Sequence, residues 1–500
     1  MLGALLAPVL LVELPPLADY PNHLARAYIL AFGADDPVLA RMFAPDWALT
    51  PNLATDLILP PLMRVLSPYT AGKVAVGLAL LLPATGVIAL SLALFRERSA
   101  WPLGVGFVAY NAMFLLGFVN FQIAIGLGLW GAACWVALAD RPVSQIVAGA
   151  AFALVAFICH LYGFIYFAVI VGCFELAEVA RGGRAFLRRA VALGAALVLP
   201  AGLYFATSFS GAGGPVVWQD ISRKLLYLLT PVLTYSRSLA LLVGGVLLLA
   251  LLAWAARRRL SVAPVGWFAV PLLLLLSAVL PVGAKGAYWI DTRIPLLLAL
   301  VLFAVTMPRL RRREAILATL VLGMLFAGRM AYIASVWRGA ALDVRDVRTV
   351  LAAVDPGRRL LTVEANPTLH QPDGGTPRSR VLGPGFPLAY WHYGALALLD
   401  RHAFWADAFT LPGQQPMLAL PPYSASTDGG VSSPRDYTAL EAYARGDATD
   451  PAYLAGWPAK FDYVLLLNAE AVPNLALVLP DRLDLVAHRG GAALYRVKPS

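Results

Sequence analysis

Charge is what this chain has least of. Asp, Glu, Lys and Arg make up 14% of its 500 residues against 60% hydrophobic, and the mean hydropathy is +0.71. That balance excludes an ordinary soluble globular protein and points to many apolar stretches. Cysteine is nearly as scarce. Cys134, Cys159 and Cys173 lie in or beside apolar stretches with no CxxC spacing, which excludes a disulfide framework and a cysteine metal site. There is no internal repeat. No soluble segment interleaves basic with aromatic residues, so the net charge of +10 does not point to nucleic acid.

What the chain has in quantity is apolar runs. A membrane span needs roughly 20 apolar residues, and about eleven runs qualify: 1–16, 71–95, 101–118, 120–139, 143–159, 161–180, 189–208, 238–256, 263–283, 294–308 and 315–336. The first is short, with no basic residue before it and no small-residue cleavage site after it, so a clipped or misassigned start is expected rather than a signal peptide. Orientation follows from arginine, because cytoplasmic loops collect Lys and Arg. Arg96 and Arg98; Arg141; Arg181, Arg184, Arg188 and Arg189; Arg257 to Arg259; and Arg309 with Arg311 to Arg313 occupy every second loop. The N-terminus is therefore expected inside, with loop 16–70, short turns near Asn120 and His160, loops 209–237 and 284–293, and everything after 337 outside. Five cations sit in the outer short loops against this bias: Arg223, Lys224, Arg237, Lys285 and Arg293. An anionic ligand or lipid headgroup would compensate them.

Beyond residue 337 Pro, Gly and charge become frequent. Residues 343–354 have helical spacing, with Val344, Val347, Val350 and Leu351 on one face. Residues 359–364 and 462–467 read as short buried strands, and 483–487 with 493–497 as a hairpin through Gly490-Gly491. The stretch 366–387, with five prolines and four glycines, reads as a loop. This predicts an α/β domain outside the membrane.

The densest chemistry lies in Leu17-Ala-Asp-Tyr-Pro-Asn-His-Leu-Ala-Arg26, directly after the first apolar run. An acid, a histidine and an arginine at the mouth of a span are functional candidates by default. Asp19 before Tyr-Pro also matches a helix N-cap. Other signals read as structure. Gly126-Leu-Gly-Leu-Trp-Gly131 fits GxGxxG but lies inside a span, so it predicts close helix packing and not a dinucleotide site. Glu175 and Glu178, one turn before Arg181 and Arg184, read as interfacial ion pairs; Trp218, Tyr288 and Trp289 read as interface anchors. Asn111 and Asn120 read as interhelical hydrogen-bonding groups. His370, His392, His402 and His488 lack metal-ligand spacing.

Several patterns carry a resemblance: Asp19-Tyr-Pro-Asn-His-Leu-Ala-Arg26, Pro51-Asn-Leu-Ala-Thr-Asp56, Gly117-Phe-Val-Asn-Phe121, His160-Leu161, Asp291-Thr-Arg-Ile-Pro295 and Gly413-Gln-Gln-Pro416. They are similar to those of a family of bacterial multispan membrane proteins. The architecture resembles the GT-C superfamily of glycosyltransferases, which take sugars from polyprenyl-phosphate carriers. The resemblance implies a mainly α-helical polytopic domain over 1–337, with juxtamembrane helices in loop 16–70, and a periplasmic α/β domain over 338–500 in a bacterial inner membrane. The partners it implies are the lipid bilayer, a polyprenyl-phosphate-linked sugar and a glycan, lipid or protein acceptor. The first loop has no Asp-Glu pair and no DxD, so a divalent metal is left open and no cofactor is named.

Sugar transfer needs a base for the acceptor proton and cations for the departing phosphate. A single carboxylate as base implies inversion. Asp19 is the expected base and Asp56 a second acid, with a solvated helix face as the alternative for Asp56. Arg293, Lys285 and Arg26 are expected at the donor phosphate; an ion pair of Arg293 with Asp291 or Asp19 is the alternative. His23, His160, Asp291, His392 and Gln415 are expected around the substrate, with structural hydrogen bonding as the alternative for His23 and His160. Two further readings stand beside the enzyme. A transporter or flippase predicts mid-span charge, of which Arg329 is the nearest case. A non-catalytic scaffold for envelope glycan assembly leaves Asp19 as a helix cap.

Overall fold

The computed structural model describes residues 1–499 except 183–185, 208–213, 286, 366–378, 383–385, 387 and 433–434. Arg184, His370 and most of the expected 366–387 loop lie outside the described residues. The chain divides into two compact units. One comprises residues 1–9, 49–54 and 76–334; the other comprises 10–48, 55–75 and 335–500. The greater part of the first loop thus belongs to the same unit as the C-terminal part of the chain.

Among the described residues, seven helices are long and apolar enough to cross a membrane: Pro68–Phe95, Val119–Ala137, Pro142–Cys159, Leu161–Ala180, Phe186–Ala206, Arg237–Ala256 and Arg312–Leu351. This is a multi-pass membrane protein. The other expected runs form shorter elements, each for a local reason. Run 101–118 breaks into Trp101–Val105, Gly106–Ala109 and Ala112–Leu115. Its interruption at Asn111 is a cap, the side-chain oxygen accepting the Phe114 N–H at 2.9 Å, and Gly117 turns the chain at φ 84°. Run 294–308 is helical only over Ile294–Val305; residues 306–308 then pair antiparallel with 260–262. The first run is helical over Leu2–Leu11 and run 263–283 over Gly266–Val279.

The glycines of 126–131 are a packing surface. A Cβ on Gly126 would lie 2.5 Å from Leu82, one on Gly128 2.7 Å from the Gly163 carbonyl oxygen, and one on Gly131 2.7 Å from Phe152. Close backbone approach of this kind is how spans associate without a hydrophobic driving force. Asn111 also accepts the Gln122 side-chain N–H at 3.0 Å, and Asn120 donates to the Asn52 carbonyl at 2.7 Å. Glu175 pairs with Arg189 at 2.7 Å and accepts the Trp135 indole N–H, while Glu178 takes Arg181 at 3.1 Å. Both acids are paired as expected of interfacial groups, Glu175 with a different arginine.

In the second unit, β1 (Arg359–Glu364), β2 (Phe404–Trp405), β3 (Arg435–Asp436), β4 (Tyr463–Leu467), β5 (Leu483–Arg489) and β6 (Ala492–Val497) form one mixed sheet in the order β5-β6-β4-β1-β2, with β3 also pairing β1. β4 and β1 are parallel, Leu465 opposite Thr362, and β6 runs antiparallel to β4. Every residue of β4 is buried, which is why it reads as an unbroken apolar run. Leu361, Val363, Trp457, Val464, Leu466 and Tyr495 form the core on one face. The expected strands and hairpin are present; the two-residue strands β2 and β3 are too short to carry a periodic signal. A separate ladder pairs Phe43–Pro45 with Met417–Ala419.

The packing role of the span glycines is testable by substitution. Gly128→Ala should lower thermal stability in detergent by roughly 1–3 kcal/mol through overpacking. Gly172→Ala, whose added methyl meets nothing within 4 Å, should leave it unchanged or slightly raised. Equal stability of Gly128→Ala and wild type would contradict this packing.

Candidate functional site

Within the second unit the sequence candidates Asp19, His23, Arg26, Asp56, His392 and Gln415 come together. The helix Tyr20–Phe32 starts with Pro21 in its first turn and is buried on nearly all sides, including Asn22, His23 and Arg26. A helix that buries polar residues must satisfy them internally. Arg26 is 1% exposed and meets Asp56 through two parallel bonds, Nε to Oδ1 at 2.7 Å and Nη2 to Oδ2 at 2.8 Å. Its Nη1 donates to the Gln415 side-chain oxygen and its Nη2 lies 3.2 Å from His23 Nδ1. Asn22 clamps the same helix to the 407–409 segment: its amide donates to the Asp407 carbonyl at 2.8 Å, and its oxygen accepts the Phe409 N–H at 2.9 Å.

These contacts decide several roles. Asp56 lies on no solvated helix face; burial pushes its carboxyl up, Arg26 pulls the other way, and both its oxygens are occupied. Arg26 carries its own counter-ion. His23 is neutral, its ring lowered well below the usual histidine range by burial and by the Arg26 charge. Gln415 is placed by the turn at Gly413 (φ 73°) and by the ladder that begins two residues later.

Asp19 differs from the other acids. It occupies the N-cap position of the Tyr20–Phe32 helix, yet its side chain makes no capping hydrogen bond. Instead Oδ1 lies 3.4 Å from His392 Nδ1, and the carboxylate keeps 25% of its surface exposed. His392 Nδ1 is also 3.1 Å from the Ala18 carbonyl, so this nitrogen carries the proton, and the ring lies edge-on to Trp405 and Phe409. Asp19 is thus an accessible carboxylate beside an N–H donor, an arrangement that orients it.

Two acids of this unit escaped the sequence. Asp407 is 1% exposed, and burial pushes its carboxyl up to about 7, with the His392 ring opposing. Glu364, at the end of β1, is pushed up to about 8, again by burial, and accepts the Trp391 indole N–H at 3.2 Å. The one signal for either is an isolated acid in an apolar run, Trp405-Ala-Asp-Ala-Phe409 and Leu360-Leu-Thr-Val-Glu364. Among the described residues no three His, Cys, Asp or Glu side chains converge where a metal ion could sit.

The membrane unit holds a second cluster. His160 joins two spans, and its Nδ1 accepts the Tyr162 N–H at 3.1 Å. Burial and the neighbouring Arg293 hold this histidine well below its usual range. The Arg293 guanidinium lies over Phe118 at 4.8 Å, Tyr162 at 4.9 Å and Phe121 at 5.4 Å, with Nη1 3.4 Å from His160 Nε2. Three aromatic faces hold the charge by cation–π attraction. Asp291 does not take Arg293; it pairs with Lys224 at 3.1 Å, both largely buried. Lys224 therefore has its compensation within the protein. Lys285 stands exposed at a tight hairpin turn with φ 52°.

Comparison with family models and with curated proteins finds no match. Among solved structures, the chain is similar over its whole length to ArnT from Cupriavidus metallidurans bound to undecaprenyl phosphate, with 10% identity, 98% of that chain covered and a TM-score of 0.50. The arabinofuranosyltransferase AftD from mycobacteria also aligns over the whole chain, with 14% identity and a TM-score of 0.48; this chain spans 40% of its length. The fold of this multi-pass membrane protein is GT-C-like.

Proposed function

We propose that this protein is a membrane glycosyltransferase that moves a sugar from a polyprenyl-phosphate donor to a glycan, lipid or protein acceptor. The alternating arginine clusters support placing the acceptor on the outer side of a bacterial inner membrane, with the N-terminus inside. The observation that carries the reading is Asp19, an accessible carboxylate that caps no backbone N–H and answers no arginine among the described residues, in a GT-C-like fold.

In this reading the acceptor hydroxyl oxygen attacks the anomeric carbon, and its proton passes to the Asp19 carboxylate. The bond from that carbon to the phosphate oxygen breaks, and the polyprenyl phosphate leaves with the electron pair. With one carboxylate in play, displacement inverts the anomeric centre. Within the membrane unit, Arg293 is the residue suited to bind an anionic phosphate: its aromatic cage holds the guanidinium partly desolvated, where an anion is bound more strongly than in water. Lys285 is the exposed cation for the same group. The paired Arg26 and Asp56 act as scaffold, with Gln415 and His23 ordered around them.

One observation favours the flippase alternative. Arg329 is fully buried in the Arg312–Leu351 helix, donates to the Tyr110 carbonyl at 3.2 Å, and leaves Nε and Nη1 without a hydrogen-bond partner among the described residues.

The test is a transfer assay on the reconstituted full-length protein, given a panel of radiolabelled polyprenyl-phosphate sugars and envelope extract. Wild type should transfer label, and Asp19→Asn should lose about 10²–10⁴-fold in rate while remaining folded. Arg293→Ala should raise the donor concentration needed for half-maximal rate. Undiminished transfer by Asp19→Asn would remove it as base; donor movement across the bilayer without transfer would favour the flippase.

A further inference from the structure

Two apolar cavities of the membrane unit contain no residue of the Arg293 cluster. One, of about 370 Å³, is walled by Trp101, Phe107, Trp254, Leu322 and Phe326, and Met1 also lines it. The other, of about 550 Å³, is walled by Ile88, Leu92, Trp130 and Cys134, and Leu2 also lines it. Both fall in the size range of ligand pockets. Two of the wall tryptophans spend their N–H groups within the protein: Trp101 donates to Thr306 Oγ1 at 2.9 Å and Trp130 to Thr85 Oγ1 at 3.0 Å. The walls therefore offer mainly apolar surface.

Both cavities adjoin one short turn. Leu92 and Ala93 line the second, Ser99 and Ala100 line the first, and between them run Arg96, Glu97 and Arg98. The Pro68–Phe95 helix ends here, with Arg96 at φ 55° turning the chain. Met1 and Leu2, adjacent in sequence, likewise line one cavity each. The rim has more cations than its acids can answer. Glu97 is taken by Arg309, and Glu314 by Arg259. Arg96, Arg98, Arg312 and Arg313 are exposed, and no carboxylate pairs with any of them among the described residues. The orientation rule accounts for arginines at this end of the spans. It does not account for an apolar hollow at each end of the turn that carries two of them.

We propose that this end of the membrane unit binds one two-chain anionic phospholipid, its phosphate on Arg96 and Arg98 and one acyl chain in each cavity. Guanidinium groups match phosphate oxygens bidentately. Basic pockets between spans are where anionic lipid headgroups bind. A zwitterionic lipid gains less from this rim, because its own ammonium offsets the phosphate. A polyprenyl phosphate, with its single chain, leaves one cavity unfilled. Gly323 lines the first cavity, and a Cβ there meets nothing within 4 Å. Gly323→Leu should therefore occupy that cavity without disturbing its walls.

Native mass spectrometry of the full-length protein, delipidated in detergent and titrated with single lipids, reads this site without requiring turnover. Wild type should bind one phosphatidylglycerol more tightly than phosphatidylcholine, and more tightly than the single-chain lysophosphatidylglycerol. Arg96→Gln and Arg98→Gln should each weaken phosphatidylglycerol binding roughly fivefold. Gly323→Leu should weaken binding of the two-chain lipid and leave that of the single-chain form unchanged. A second readout needs no variant. Cys134 lines the second cavity, while Cys159 and Cys173 are buried. Phosphatidylglycerol should slow Cys134 alkylation by a membrane-soluble maleimide, and the same concentration of phosphatidylcholine should not. Equal binding of the anionic and zwitterionic lipids, or of the one-chain and two-chain forms, would overturn the inference. So would displacement of phosphatidylglycerol by an equal concentration of polyprenyl phosphate. Sugar transfer by a protein with no lipid preference would sink this inference alone; a lipid preference without transfer would leave it intact.

Discussion

The buried pair of Arg26 and Asp56 is the constraint on which the candidate site depends. A guanidinium and a carboxylate, both with fully buried side chains, cannot stand apart without a desolvation cost of several kcal/mol each. They therefore bring together three separate stretches of chain: the Tyr20–Phe32 helix, the Ala54–Met63 helix and the turn that carries Gln415. Once that helix is anchored by Arg26, its first residue and Asp19 ahead of it have little freedom. Asn22, on the same helix, then ties it to the 407–409 segment. The result sorts three acids by environment. Asp56 is consumed by Arg26, Asp407 is sealed and titrates near neutrality, and Asp19 is left accessible. The same residue type meets three environments because burial and partners differ.

The membrane unit handles charge by another route. Lys224 is answered by a carboxylate, Asp291, as a buried cation usually must be. Arg293 rests among Phe118, Phe121 and Tyr162, with a neutral histidine beside it. Aromatic faces stabilise a cation without cancelling its charge. Arg26 and Arg293, which the sequence alone placed in one role, thus sit in different surroundings.

Much of the fold was legible because the membrane imposes long, regular apolar runs. The four runs 120–139, 143–159, 161–180 and 238–256 match single helices within two residues at each end. Runs with internal Gly, Pro or Asn were less readable: Asn111 caps a new turn where hydropathy alone saw one span. In the second unit, strands with unbroken apolar sequence stood out, while Phe404–Trp405 and Arg435–Asp436 did not, since two residues carry no period. For the site, clustering of polar residues in 19–26 pointed to the right helix, and the Gly413-Gln-Gln-Pro416 pattern to a residue that meets it. Partner choice was not legible. Nothing in the sequence says that Arg26 answers Asp56, that Lys224 answers Asp291, or that Asp19 turns to His392 instead of capping its helix. Asp407 was invisible because an acid in a short apolar run looks like any surface residue until its burial is known.

The central claim is that the ion pair of Arg26 and Asp56 is scaffold, and a double-mutant cycle in equilibrium stability tests it most directly. Arg26→Met and Asp56→Leu alone each leave one buried charge unanswered and should cost roughly 3–5 kcal/mol, whereas the double variant should recover most of that loss. Losses that simply add in the double variant would contradict the account, because the two side chains would then act independently.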